Sequence, residues 1–170
     1  MLDLRAATAG WFPDRAGVSE HVWPGALRAP FRLEGRRGPE IHILMIEDDP
    51  SIADMYRLQL EHDGYRVTNA MTGELAFTTL EDDVPDVVLL DLLLPDRSGF
   101  EVLAMINERF PIHPPVVILS NYGEPSMIDR GRLLGAIEYL VKSRVTPGDI
   151  SEQIAGWVER GRRRRGRRDS

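Results

Sequence analysis

The stretch "HILMIEDDP", residues 42–50, decides how the rest of the chain is read. Ile43, Leu44, Met45 and Ile46 form a short unbroken apolar run, the pattern of a strand buried on both faces. Glu47, Asp48 and Asp49 follow at once, where the chain leaves that strand. Adjacent carboxylates repel, and crowding raises at least one pKa unless a cation compensates. The stretch therefore predicts a central strand with a positive partner at its carboxyl end.

Downstream the chain alternates. Strands are predicted over 41–46, 65–69, 86–90, 115–119 and 137–141, and helices over 50–62, 72–81, 98–109, 125–134 and 147–161. Asp49 suits an N-cap, Pro50 the first helical position and Gly64 a helix stop. Met55, Leu58, Leu103, Ile106, Ile154 and Trp157 are expected to face the core. The half-polar second strand reads as an edge; the first, third and fourth are apolar throughout, as central strands are. Five such βα units imply an α/β fold with a parallel sheet covered on both faces. Ligands of open parallel sheets bind at the carboxyl ends of the strands.

Composition bounds the rest. The chain of 170 residues suits one globular domain with residues to spare. It has no cysteine, which removes disulfides, thiolate metal sites and cysteine nucleophiles. No apolar run reaches the roughly 18–20 residues that cross a bilayer, and the N-terminus lacks the apolar centre of a secretory signal. A cytoplasmic protein without membrane contact is the expectation.

Charge is segregated. Residues 1–40 hold six Arg and five acids, a net +1; residues 41–159 hold seven Arg, one Lys and 21 acids, a net −13; residues 160–170 hold seven Arg and one acid, a net +6. The division expected is an N-terminal extension over 1–40, disordered or loosely docked (an upstream start is the alternative), a domain over 41–160, and an Arg-rich tail over 161–170. The tail has no aromatic for stacking on bases and no recognition helix, so a solvated segment is preferred over nucleic-acid binding.

At the carboxyl ends of the predicted strands stand Glu47, Asp48 and Asp49, then Asp91, Ser120 and Lys142. Lys142 is the only lysine of the chain. Hard oxygen ligands with no His or Cys favour Mg²⁺. An aspartate carboxylate can act as a nucleophile toward phosphorus, and the resulting phosphoryl oxygens need a hydroxyl, an ammonium or a metal as partners.

Across residues 41–160 the pattern resembles the receiver domain of two-component response regulators. Five pieces carry the resemblance: "ILMIEDDP", "DVVLLDLLLPDRSGFEVL", "VVILSNYG", "GAIEYLVKS" and the last helix opening at "TPGDI", in order and at matching spacing. It implies a flavodoxin-like doubly wound (βα)5 fold with strand order 2-1-3-4-5. It implies Asp91 as phosphoacceptor, Glu47, Asp48, Asp91 and the backbone carbonyl of Leu93 as Mg²⁺ ligands, and Ser120 and Tyr139 as switch residues. Lys142 would pair with the acids before phosphorylation and with phosphoryl oxygens after it, while Pro95 and Gly99 shape the loop after the nucleophile.

The implied partners are a sensor histidine kinase or a histidine phosphotransfer protein, and a downstream protein. The downstream partner would read the face of the fourth helix, fifth strand and fifth helix, where Arg130, Arg132, Tyr139 and Ser143 should be reachable. The short remainder after the last helix carries the expectation of a stand-alone receiver without sequence-specific DNA binding. It would be a signalling protein that autocatalyses its own phosphorylation, not a metabolic enzyme.

The sequence departs from the pattern at Asn121, where a small residue is usual. Leu93 and Tyr122 stand where a side chain could orient an attacking water, and neither can, which predicts slow self-dephosphorylation. Two enzyme-like or cofactor-binding readings fail on residues. A dehalogenase-type hydrolase needs an acid at position 93, and a flavin domain needs a hydroxyl- and glycine-rich loop at 47–49. A degenerate receiver, working as a phosphorylation-independent interaction module, stays open as the alternative.

Overall fold

The computed structural model describes residues 40–166. The expectations for residues 1–39 and 167–170 lie outside the described residues. Five strands, β1 (His42–Ile46), β2 (Arg66–Ala70), β3 (Val87–Asp91), β4 (Val116–Ser120) and β5 (Glu138–Val141), alternate with helices α1 (Pro50–His62), α2 (Gly73–Asp82), α3 (Gly99–Arg109), α4 (Pro125–Leu133) and α5 (Pro147–Gly166). All four strand pairings are parallel and the order is β2-β1-β3-β4-β5, as the resemblance implied. No helix among the described residues is long and apolar enough to cross a membrane.

Alternation along the central strands divides the core. Leu44, Ile46, Val88, Leu90 and Ile118 pack toward α2, α3 and α4. Their sequence neighbours Ile43, Met45, Val87, Leu89 and Val117 pack toward α1 and α5. A residue slip in any one strand would exchange the two sets, so the two covered faces lock the register.

The helix starts follow local chemistry. The Asp49 carboxylate accepts the Ser51 N–H at 2.8 Å and the Ile52 N–H at 3.2 Å, with Pro50 at the first helical position. Thr72 caps α2, and Ser98 with Glu101 closes a reciprocal capping box on α3. Gly64 and Gly135 sit just past α1 and α4 at φ of 91° and 94°, the left-handed conformation that ends a helix.

Two expectations are corrected. Met55 and Leu58 are exposed, and α1 buries Ala53, Tyr56 and Leu60 instead. Both sets are apolar at helical spacing, so period alone could not choose between them. Leu103, Ile106, Ile154 and Trp157 are buried as expected. Helix α5 also does not stop at Gly161 but runs to Gly166, into the stretch read as tail. Arginine is a good helix former and suits the negative end of the helix dipole. Ion pairs hold the extension: Arg163 to Glu159 at 3.0 Å within the helix, and Arg162 to Asp86 at 3.3 Å at the start of β3.

Gly161 is a packing residue rather than a stop. A Cβ there would lie 2.6 Å from Cδ and 2.7 Å from Cγ of Pro115, a rigid ring leading into β4. Gly156, one and a half turns earlier, faces open space. Gly161→Ala should therefore destabilise by about 1–3 kcal/mol through overpacking, whereas Gly156→Ala should stabilise by about 0.5–1 kcal/mol through helix propensity. Urea unfolding of the two variants checks the contrast.

Candidate functional site

Register assembles the site. Ile46 lies beside Leu90, so Glu47 leaves β1 next to Asp91, the last residue of β3. Asp91 lies beside Leu119, and Ser120 beside Val141, which puts Lys142 at the same rim, directly after β5. Lys142 starts two strands from Asp91, about 10 Å at ordinary strand spacing. Only a long side chain bridges that gap.

The Lys142 ammonium donates to Glu47 Oε2 at 2.5 Å and to Asp91 Oδ2 at 2.9 Å, with all three side chains almost wholly buried. Asp48 joins them, half-buried, and ligand oxygens of Glu47, Asp48 and Asp91 lie within 4.8 Å of one another. One ammonium thus faces three carboxylates. Burial pushes the Glu47 carboxyl above its ordinary value, and the hydrogen bond from Lys142 does not cancel the effect. For Lys142, burial works downward, but the bonds to Glu47 and Asp91 outweigh it and raise the ammonium's pKa. Both shifts report a shortage of positive charge. A further cation of hard-oxygen preference fits that shortage, since the cluster holds no His or Cys.

The backbone around Asp91 is tightly held. Its Oδ1 accepts the Leu92 N–H at 2.6 Å and the Leu93 N–H at 3.3 Å. A Cβ on Gly99 would collide with the Asp91 carbonyl oxygen, so the first residue of α3 sits against the backbone of Asp91. The Gly99 N–H donates to the Leu92 carbonyl at 2.9 Å, closing the 92–99 loop.

Ser120 and Tyr139 meet through one residue. The Ser120 hydroxyl, 1 % exposed, accepts the Tyr122 N–H at 3.1 Å. The Tyr139 hydroxyl donates to the Tyr122 carbonyl at 2.7 Å. Burial raises the Tyr139 phenol pKa, with the Ser120 hydroxyl opposing the shift. Tyr139 is therefore turned inward and not reachable on the surface as expected, while Arg130, Arg132 and Ser143 are exposed. Leu93 and Tyr122 are exposed and line one open groove of about 390 Å³ with Phe100, Met127 and Arg130.

The structure thus brings Glu47, Asp48, Asp91 and Lys142 into one cluster and ties Ser120 and Tyr139 to the loop beside it. One supporting residue escaped the sequence reading. Asp96 accepts the Gly73 N–H at 3.0 Å and the Glu74 N–H at 3.1 Å, capping α2 from the loop that follows Asp91. Arg97 reinforces the join, bonding Asp96 at 3.1 Å and Glu74 at 3.2 Å. The capped amides lie more than twenty residues upstream, so no local pattern announces the contact.

A doubly wound sheet with an acid nest and one buried lysine at its carboxyl rim defines a receiver-type α/β domain. The family model for the response regulator receiver domain matches residues 43–155, and the chain belongs to that family. It is thus a receiver domain of two-component signalling.

Among curated relatives, the phosphate regulon transcriptional regulatory protein PhoB of Rhizobium meliloti is 33% identical over 121 residues, covering 71% of this chain and 53% of that protein. The transcriptional regulatory protein TrcR of Mycobacterium tuberculosis is 29% identical over 126 residues, covering 73% and 46%. The chain spans about half the length of the curated relatives it matches. Among solved structures, a CheY-like response regulator receiver domain protein from Methanospirillum hungatei JF-1 superposes with TM-score 0.67 at 26% identity, covering 74% of this chain and 98% of that one.

Removing the shared ammonium tests the electrostatics. Lys142→Met should destabilise by about 3 kcal/mol, because two buried carboxylates lose their partner. Adding Asp91→Asn should recover much of that loss in urea unfolding. The penalty should shrink as pH falls through the raised Glu47 value toward 4.5, because the unpartnered carboxyl then takes up a proton. In the unsubstituted protein, the Lys142 contribution is full below 10.5 and is lost as pH rises through the raised ammonium value.

Proposed function

We propose that this receiver accepts a phosphoryl group on Asp91 from the phosphohistidine of a sensor kinase or a phosphotransfer protein, in a Mg²⁺-dependent step, and thereby changes its protein contacts. The observation that carries the reading is the Lys142 ammonium shared between Glu47 and Asp91 inside an acid cluster it cannot neutralise. The Asp91 carboxylate is oriented by the Leu92 and Leu93 amides and lies at the rim where a donor can approach.

In the step, an Asp91 carboxylate oxygen forms the O–P bond as the P–N bond to the donor imidazole breaks, and the departing nitrogen keeps the electron pair and takes up a proton from solvent. Glu47, Asp48, Asp91 and the Leu93 carbonyl would hold Mg²⁺, which supplies the charge neutralisation that a phosphoryl group needs among carboxylates. Lys142 exchanges its bond to the Asp91 carboxylate for one to a phosphoryl oxygen. Ser120 exchanges the Tyr122 N–H for a phosphoryl oxygen, donating its hydroxyl proton. Rearrangement of the Ser120, Tyr122 and Tyr139 link then shifts the population of surfaces presented by α4, β5 and α5.

PhoB and TrcR are named as transcriptional regulatory proteins. A transcriptional output reached through this domain would pass through protein contacts, because residues 41–159 carry a net −13 and repel a phosphate backbone.

Incubation with a small phosphoryl donor and Mg²⁺ should label the protein, and Asp91→Asn should abolish the label. Beryllofluoride should bind with Mg²⁺ and not with a chelator; failure to bind would favour the phosphorylation-independent module. Leu93 and Tyr122 cannot orient an attacking water, so the labelled protein should hydrolyse slowly. Leu93→Asn, which places a hydrogen-bonding side chain over the acyl phosphate, should shorten that lifetime several-fold in a phosphate-release assay.

A further inference from the structure

Helix α4 touches the sheet in an unusual way. Its one buried residue is a glycine, Gly131, and its second half is polar. A Cβ on Gly131 would lie 2.8 Å from the Ile118 Cδ1 methyl and 3.0 Å from Cδ2 of the Tyr139 ring. The first distance is shorter than real Cβ contacts and the second is tighter than nearly all of them, so a methyl group fits only if a neighbour moves. Glycine in a helix interior costs about 0.5–1 kcal/mol relative to alanine, so the notch is held open against local preference.

We infer that Gly131 is a positioning residue for the Tyr139 switch, its missing Cβ being the space that lets the ring lie inward and bond the Tyr122 carbonyl.

The two neighbours differ in their ways of yielding. Ile118 lies in the middle of β4, wholly buried and enclosed by the packed face of the sheet. Its methyl has nowhere to go without displacing other core atoms. Tyr139 is on the edge strand β5, and rotation about its first side-chain torsion carries the ring to solvent at the loss of one neutral hydrogen bond. A methyl at position 131 is therefore relieved when Tyr139 swings out and α4 moves into the space it leaves, away from Ile118. Expulsion releases the Tyr122 carbonyl from one end of the link whose other end holds Ser120. Gly131 touches neither Asp91 nor the acid cluster, so the chemistry of phosphorylation should survive its substitution.

This inference rests on the reading of Tyr139 as the switch residue, and the experiment separates the two. The phenol of Tyr139 is followed by ultraviolet titration of each protein against its Tyr139→Phe counterpart, which isolates one tyrosine among the four of the chain. The native phenol should titrate above the ordinary value of 10.0, and in Gly131→Ala it should return to that value. Labelling of Asp91 by a small phosphoryl donor should be retained in Gly131→Ala. An unchanged phenol in Gly131→Ala overturns the inference. Loss of labelling in the unsubstituted protein would instead overturn the phosphoacceptor reading and leave the phenol result standing.

Stability supplies a second arm, in case Gly131→Ala folds poorly. Gly131→Ala should lower the unfolding midpoint in the native background, yet leave it unchanged or raise it in Tyr139→Ala, where the ring is gone and the helix gains a better former. Equal damage in both backgrounds would mean that Tyr139 is not what the methyl meets, and the inference would fall.

Discussion

A single buried ammonium shared between two carboxylates governs this domain. Lys142 reaches Asp91 from two strands away and Glu47 from three, and in doing so it joins β1, β3 and β5 at their carboxyl ends. A buried ion pair is weak evidence for stability, because desolvation offsets much of the attraction. Here the balance is worse than for a simple pair, since Asp48 adds a third negative group. Such a cluster suits a further cation better than it serves to hold the sheet together.

What holds the sheet together lies elsewhere, and it keeps the rim in place. Two apolar layers pack on opposite faces of the central strands and forbid register slips. Below the rim, Gly161 seats α5 on Pro115 at the start of β4. At the rim, Gly99 presses α3 onto the Asp91 backbone, and Asp96 pins the same loop to α2. Asp91 is thus held by contacts to α2 and α3 that come from residues outside the acid cluster. That division matches the general requirement that reactive groups be preorganised by residues outside the chemistry.

The sequence made the topology legible because buried parallel strands are written as unbroken apolar runs. "ILMI", "VVLL" and "VVIL" could hardly be anything else once bounded by turn residues. Glu47, Asp48, Asp91 and Lys142 were legible as one cluster because the carboxyl rim is a geometric consequence of parallel strands. Three things were not. Met55 and Leu58 shared their spacing with the true inward face of α1, and hydrophobic period carries no sign for which face turns inward. Gly161 reads as a helix stop in any local scheme, since only the tertiary neighbour Pro115 reveals it as a contact. The inward Tyr139 depends on the absence of a side chain at Gly131, and an absence eight residues away leaves no motif.

The link from Ser120 to Tyr139 also sets the scale of what the proposed switch could do. Tyr122 supplies both of its own backbone groups, the N–H to Ser120 and the carbonyl to Tyr139, so the two bonds meet at adjacent peptide units joined at one Cα. Each neutral bond contributes about 1 kcal/mol net, a factor of roughly five in a two-state population. A bias of that size keeps Tyr139 mostly inward without locking it there. Hydrogen bonds to a charged phosphoryl group are about twice as strong as neutral ones, which on the proposed function would suffice to draw Ser120 away from Tyr122. The proposed switch needs the two competing interactions to be of similar size; a stronger resting link would leave a phosphoryl group unable to move it.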